Sequence, residues 1–379
     1  MLLIPSANTM NSLGEFARFA LCAGCALAGI SSTPRADAAE AMGWEKLPAI
    51  PDAEGFAGAF AGVSNGALIV AGGANIAGEK WGDTFTKQWH DSVFVLEKPD
   101  GEWKRGLPPA GVAGEGGILR FKLPRALSYG VSVTTERGVV CIGGSDAQRN
   151  YADVFLLEWR DGRIVTTALP ALPKPCANAC GALVGKVIYV ASGIEMPDAT
   201  TALKTFWSLD LAAAEPRWEA LEPWPGPERM LAVAGVLGGS FCIFSGARLK
   251  AGADGKAVRE FLRDAYRYTP GKGWTRLADM PRAAVAAPSP ALIEAGSRVL
   301  IVTGDDGTNV DFQPVREHPG FPRDALAYDA ERDAWSSAGE IPFSRATVTA
   351  VHWRGQYVIP NGEVRPRVRT PEVWATRMK

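Results

Sequence analysis

Six times along this chain an apolar, strand-length segment runs into a glycine: residues 67–73, 139–144, 187–193, 241–246, 299–304 and 357–362. A pattern that returns at intervals of roughly 50 to 70 residues marks one supersecondary unit repeated in space, because a single unit cannot bury its apolar faces alone. Each copy follows a strand of small residues, and four of those strands open at or beside an arginine: Arg125, Arg229, Arg282 and Arg345. A third strand comes next, such as Ser92-Val93-Phe94-Val95-Leu96. A fourth carries a tryptophan, at Trp103, Trp218, Trp274 and Trp335. The second unit has Ile164 in that place and is irregular.

The glycine doublet with a tryptophan downstream resembles the kelch signature, in which each repeat is one four-stranded blade. The implied fold is all-β: a six-bladed kelch-type β-propeller over residues 39–379. Glycine suits the end of the second strand, where the chain turns against its neighbours and a side chain would obstruct close approach. The last unit reaches a third strand near residues 373–375 and no fourth. Gly43-Trp44-Glu45-Lys46-Leu47-Pro48 has the form of the missing strand, so the N- and C-terminal strands are expected to share one blade and close the ring.

Lysine plus arginine, 40 residues, almost equal aspartate plus glutamate, 41 residues, with no run of like charge. That balance gives no electrostatic footprint for nucleic acid, and the expected partner is a small molecule or a protein. The N-terminus reads as an export signal over 1–38: Arg18 precedes an apolar run at 19–30, and Ala36-Asp37-Ala38 offers a cleavage site. The run is too short to span a bilayer, and the expected location is periplasmic or secreted. Cys141, Cys176, Cys180 and Cys242 lie in apolar segments without metal-ligand or redox spacing and are expected to be buried thiols. Only three histidines are present, without paired spacing, which argues against a copper site.

In a propeller the start of each first strand and the end of each second strand lie on one face. By this geometry Arg125, Arg229, Arg282 and Arg345 are expected to form a basic funnel at the channel mouth around Glu363, with the loops at 74–90 and 305–323. Guanidinium groups can hold a carboxylate bidentately, so such a funnel suits a small anionic ligand.

Three segments carry a narrower resemblance. Gly55-Phe56-Ala57-Gly58-Ala59-Phe60-Ala61-Gly62-Val63-Ser64-Asn65 and Ser128-Tyr129-Gly130-Val131-Ser132 are similar to segments of the bacterial N-acetylneuraminate epimerases, the sialic acid mutarotases. Asn361-Gly362-Glu363-Val364-Arg365-Pro366-Arg367-Val368-Arg369-Thr370 resembles that family's Asn-Gly-Glu segment with its following arginine-threonine pair. The resemblance implies catalytic roles for Glu363, as proton acceptor, and Arg369, a place for Asn361 in substrate binding, and N-acetylneuraminate as the partner, with no cofactor. The order of the segments is reversed, as in a circular permutation, and the group it most resembles is the cyclically permuted mutarotases. A closed ring accommodates such a shift of its seam. Anomer exchange needs a base for the anomeric hydroxyl and a proton donor to the ring oxygen. The donor is not assigned by sequence; water, His90 and His318 are candidates, and Glu228 and Asp305 are alternative bases. A non-catalytic kelch module that binds a glycan or a protein is the competing reading, and the sequence leaves the oligomeric state open.

Overall fold

The glycine-ended segments form the second strands of six antiparallel sheets, each of four strands. The computed structural model describes residues 42–82, 84–105 and 121–378, so the export signal expected over 1–38 lies outside the described residues. Blade 1 consists of Phe60–Ser64, Ala67–Ala71, Val93–Leu96 and Lys104–Arg105. Blades 2 to 5 repeat this order, with second strands at Val139–Ile142, Val187–Ala191, Ser240–Phe244 and Arg298–Val302. Blade 6 combines Val351–Trp353, Gln356–Pro360 and Val373–Thr376 with Trp44–Leu47 from the other end of the chain. Trp44 lies opposite Thr376 and Leu47 opposite Val373, which closes the six-bladed propeller through the strand expected at 43–48.

The second strands read as near-continuous apolar runs because each sheet is covered on both faces by its neighbours. Every residue of Ala67–Ala71 and of Ser240–Phe244 is buried. Six hydrophobic clusters result, each spanning a pair of adjacent blades. Phe60, Val139 and Phe155 belong to the one between blades 1 and 2. Leu68, Val70, Trp353 and Val358 belong to the one across the closure.

The tryptophans at the fourth strands of blades 1, 3, 4 and 5 tie each of these to the blade before it, whereas the indole N–H of Trp44 in blade 6 has no partner. The indole N–H groups of Trp103, Trp218, Trp274 and Trp335 donate to the carbonyls of Pro48, Pro170, Glu222 and Ala278 at 2.8 to 2.9 Å. Each acceptor lies just past the fourth strand of the preceding blade. Ile164 in blade 2 cannot donate, and this is the structural content of that unit's irregularity.

Two backbone features recur in all six blades and shape the channel. At the end of every second strand two successive residues adopt positive φ: Gly72-Gly73, Gly143-Gly144, Ser192-Gly193, Ser245-Gly246, Thr303-Gly304 and Asn361-Gly362. Just before every first strand one residue does the same, namely Gly58, Tyr129, Asn178, Leu231, Ala286 and Thr347, with φ between 55° and 63°. Their backbones form a closed ring. Gly58 N–H donates to Thr347 O, Thr347 to Ala286, Ala286 to Leu231, Leu231 to Asn178, Asn178 to Tyr129 and Tyr129 to Gly58, at 2.6 to 2.8 Å. Five of the six are not glycine, and holding them in the left-handed region costs on the order of 1 kcal/mol each. The ring offsets this by engaging six N–H groups that would otherwise face the channel without partners.

Candidate active site

The hydrogen-bonded ring is the floor of a cavity of about 600 Å³ at one end of the propeller axis, into which Tyr129, Asn178, Leu231, Ala286 and Thr347 contribute. On the other side of the ring the channel narrows to about 70 Å³ among first-strand residues. The walls come from the segments that follow the glycine doublets. In each blade the first residue after the doublet makes a reciprocal backbone pair with the residue before the ring position: Ala74 with Ala57, Ser145 with Ser128, Ile194 with Ala177, Ala247 with Met230, Asp305 with Val285 and Glu363 with Ala346, at 2.7 to 3.0 Å. The repeat thus presents six equivalent wall positions. Only blades 5 and 6 place a carboxylate there.

Glu363 opens a short hairpin, Glu363–Arg365 with Val368–Arg369, whose register sets it opposite Arg369. Its Oε1 accepts the Arg367 backbone N–H at 3.0 Å and lies 3.2 Å from Arg369 Nη1. The angle at Arg369 is not that of a hydrogen bond, and Nε and Nη1 of this arginine, only 8% exposed, have no hydrogen-bond partner. Two other side chains lining the cavity also hold buried, unpartnered polar atoms: the Trp89 indole nitrogen and Asn150 Oδ1. Buried polar groups are nearly always satisfied. Trp89, Asn150 and Arg369 thus line the cavity while keeping polar atoms buried behind its surface without protein partners.

The basic funnel expected from Arg125, Arg229, Arg282 and Arg345 is not what the structure builds, because none of the four lines the cavity. Each instead meets the carboxylate that opens the third strand of its own blade: Arg125 with Asp153 at 3.6 Å, Arg229 with Asp264 at 2.6 Å, Arg282 with Asp324 at 2.5 Å and Arg345 with Glu372 at 3.1 Å. Arg229 is fully buried and also donates to Pro227 O and Ser245 O; Arg345, 1% exposed, donates to Ser344 O. These arginines fasten strands together within a blade. Asn361 is likewise displaced from its expected substrate-binding place. It is 1% exposed, it is the first residue of the positive-φ doublet, and it does not line the cavity. Asparagine is among the few side chains that tolerate that conformation.

The cations that do line the cavity are Lys87, Arg259, Arg367 and Arg369, all in the hairpins beyond the doublets of blades 1, 4 and 6. Lys87 Nζ lies 4.9 Å from the Tyr129 ring centre and 5.3 Å from that of Trp89. Arg367 donates to Lys80 O and Gly82 O and lies over Phe85, joining the hairpin of blade 6 to the loop of blade 1. Sequence reading passed over Lys87, Trp89, Asn150 and Arg259, although their place after the doublets was the available signal. Of the other candidates, Asp305 lines the cavity, whereas Glu228 does not and is paired with Arg248 at 2.8 Å. His90 Nε2 is bound to Asn75 Oδ1 at 2.9 Å, and burial lowers its pKa; buried His318 accepts the Gly320 N–H at 3.0 Å. Cys141, Cys176, Cys180 and Cys242 are free and buried, and burial pushes the last three up to about 12.

The fold is a propeller whose axis is crossed by a hydrogen-bonded floor, and the cavity above that floor brings the Glu363 carboxylate and the Arg369 guanidinium side by side. The family model for N-acetylneuraminate epimerase matches residues 29–166 and 169–313. The chain belongs to the N-acetylneuraminate epimerase family. Relatives of that name include the proteins of Haemophilus influenzae (strain PittEE), 28% identical over 226 residues, and Yersinia enterocolitica serotype O:8 / biotype 1B, 28% identical over 231 residues. A third, from Yersinia pestis (strain Pestoides F), is 28% identical over 236 residues. The three matches cover 54%, 54% and 55% of this chain and 57%, 56% and 57% of the relatives, so the chain spans little more than half the length of the curated relatives it matches. The residues matched by the family model stop before the Glu363 hairpin.

Proposed function

We propose that this protein is a mutarotase that interconverts the anomers of N-acetylneuraminate, with Glu363 as the base and Arg369 as the group that orients the acid. The observation that carries the reading is Arg369, a buried arginine with unengaged donors beside a cavity-lining carboxylate. A sugar carboxylate entering the cavity would meet a guanidinium that the protein leaves short of acceptors, the setting for charge-assisted hydrogen bonds, and Trp89 and Asn150 line the same cavity. At about 600 Å³ the cavity falls within the range usual for small-molecule sites. Family membership supports the choice of substrate, since the relatives are named for N-acetylneuraminate.

The chemistry needs a base and a proton donor and no change of oxidation state. Glu363 takes the anomeric hydroxyl proton as the ring C–O bond opens to a carbonyl and the ring oxygen takes up a proton from a donor; closure on the other face of that carbonyl, with both protons returned, gives the second anomer. The Arg367 N–H fixes the carboxylate rotamer. The N-terminal segment supports export, and we place the reaction outside the cytoplasm.

The test follows freshly dissolved single-anomer N-acetylneuraminate by NMR. The wild-type protein should accelerate exchange above buffer, and Glu363→Gln should slow it by roughly 100-fold or more while retaining binding. Binding without acceleration by the wild type would favour a glycan-binding module instead. That reading has one observation in its favour. The exposed large apolar residues Trp81, Phe85, Met196, Val258, Val310 and Phe312 all lie in segments joining second to third strands, on the cavity face.

A further inference from the structure

Asp305 holds in blade 5 the position that Glu363 holds in blade 6. Each follows its glycine doublet directly, and each is locked by a reciprocal backbone pair to the residue before a ring position, Val285 and Ala346 respectively. Both line the cavity. The four remaining blades carry Ala74, Ser145, Ile194 and Ala247 there, so the two carboxylates are a departure from the repeat and not a product of it. Their surroundings differ. Glu363 has a guanidinium at 3.2 Å, whereas Asp305 has no ion pair among the described residues. Asp305 Oδ1 accepts the Gly307 N–H at 3.0 Å, and no hydrogen bond among the described residues engages Oδ2. Gly307 packs on the Phe261 ring, and Phe321 contributes an apolar part of the same wall. One carboxyl with a guanidinium at 3.2 Å and one buried without an ion pair among the described residues is the arrangement that separates an acceptor from a donor.

Opening a cyclic hemiketal moves two protons. One leaves the anomeric hydroxyl, and another must reach the ring oxygen as its bond to the anomeric carbon breaks. We propose that Asp305 is the second catalytic residue of this cavity and gives its carboxyl proton to the ring oxygen; the assignment rests on the mutarotase reading. As Glu363 takes the hydroxyl proton, that O–H electron pair forms the new carbonyl. The ring C–O pair goes to the ring oxygen, which takes the proton from Asp305 and becomes a free hydroxyl. Closure runs the same transfers backwards, with the hydroxyl proton returning to Asp305 and Glu363 giving its proton to the carbonyl oxygen. Nothing is consumed.

Burial pushes the Asp305 carboxyl up from the ordinary aspartate range. The Gly307 N–H and Arg259, on the blade 4 hairpin, pull it down; Asp306 pushes it up and His318 pulls it down. Lys87, Asp146, Glu363, Arg367 and Arg369 are the other charged groups on the cavity wall. An acid with a raised pKa keeps its proton to higher pH, so the donor is present below that pKa and is lost as pH rises through it. The rate should therefore show an alkaline limb set by Asp305.

The experiment measures kcat and KM for anomer exchange against pH, corrected for the buffer rate, in wild type, Asp305→Asn and Asp305→Glu. Asp305→Asn should lower kcat by roughly 100-fold with little change in KM and should abolish the alkaline limb, whereas Asp305→Glu should restore part of the rate and a shifted limb. A folded Asp305→Asn protein that keeps both the wild-type rate and the limb overturns the assignment. Equal losses in both variants with raised KM would show a structural role and overturn it too. If Asp305→Asn does not fold, the glutamate variant decides alone: a limb at the wild-type pH counts against Asp305 and a shifted one for it. A wild-type protein without activity removes the mutarotase reading and this assignment together, while an active wild type with an indifferent Asp305→Asn removes only the latter.

Discussion

Arg229 and Arg369 are both buried, yet their guanidinium groups are engaged in opposite ways. Arg229, with no exposed surface, donates to Pro227 O, Ser245 O and Asp264 Oδ2. Arg369, 8% exposed, keeps Nε and Nη1 without an acceptor. The first belongs to a theme repeated in blades 2, 4, 5 and 6, an arginine before the first strand held by a carboxylate before or at the start of the third. The second belongs to the hairpin beyond the blade 6 doublet, where it lies opposite Glu363; the corresponding hairpins of blades 1 and 4 place Trp89 and Phe261 opposite alanines. Each arginine that recurs around the ring is tied to a carboxylate of its own blade, although Arg345 Nε, like Arg369 Nε, is buried without a partner. What breaks the recurrence is left with chemistry to offer, and the wall positions repeat the lesson, since four are small or apolar and two are carboxylates.

This contrast is sharpened first at Asp264. Asp264→Ala would leave the guanidinium of Arg229 buried without its counter-charge, and breaking such a pair costs about 3 to 5 kcal/mol. Denaturant unfolding should show that loss, with exchange activity per folded molecule unchanged. A drop in activity at constant stability would mean that the blade-opening arginines serve the site after all. Arg369→Ala tests the other half. It forfeits few protein hydrogen bonds, so stability should change by less than about 1 kcal/mol. Affinity for N-acetylneuraminate should fall by the worth of a charge-assisted hydrogen bond, about 1.5 to 3 kcal/mol, or roughly 10- to 100-fold in Kd by calorimetry.

The fold was legible in the sequence because it is written six times. Apolar second strands, glycine doublets and the fourth-strand tryptophans each recur, and the Trp44 strand could be placed by likeness to its counterparts. The arginines were misplaced for a physical reason. Which carboxylate a guanidinium meets depends on a partner such as Glu372, 27 residues from Arg345, and on strand ends whose spacing varies from blade to blade. Asn361 looked like part of a motif because its neighbour Glu363 is one. Its doublet position, shared with Ser192, Ser245 and Thr303, became readable only from φ. The ring of hydrogen bonds had no sequence signal, since Tyr129, Leu231 and Thr347 are residue types that rarely adopt the left-handed region.

The smallest expected effect completes the comparison. Arg125 is the outermost member of the blade-opening set: its side chain is 40% exposed, that of Asp153 is 46% exposed, and their closest atoms are 3.6 Å apart. Solvent screens a pair of this kind, and exposed ion pairs contribute about 0 to 1 kcal/mol. Its guanidinium also rests over the Tyr151 ring at 4.4 Å, worth about 0.5 kcal/mol at an exposed site. Arg125→Ala should therefore lower stability by about 1.5 kcal/mol at most, well short of the Asp264→Ala effect, and should leave substrate affinity unaltered. Burial grades the set from Arg229 through Arg345 and Arg282 to Arg125, with side chains 0%, 1%, 16% and 40% exposed. Stability losses for the four alanine variants should fall in that order. A loss of sugar-acid affinity in Arg125→Ala, with its melting curve unmoved, would instead place this one arginine within reach of the ligand and divide the set in two.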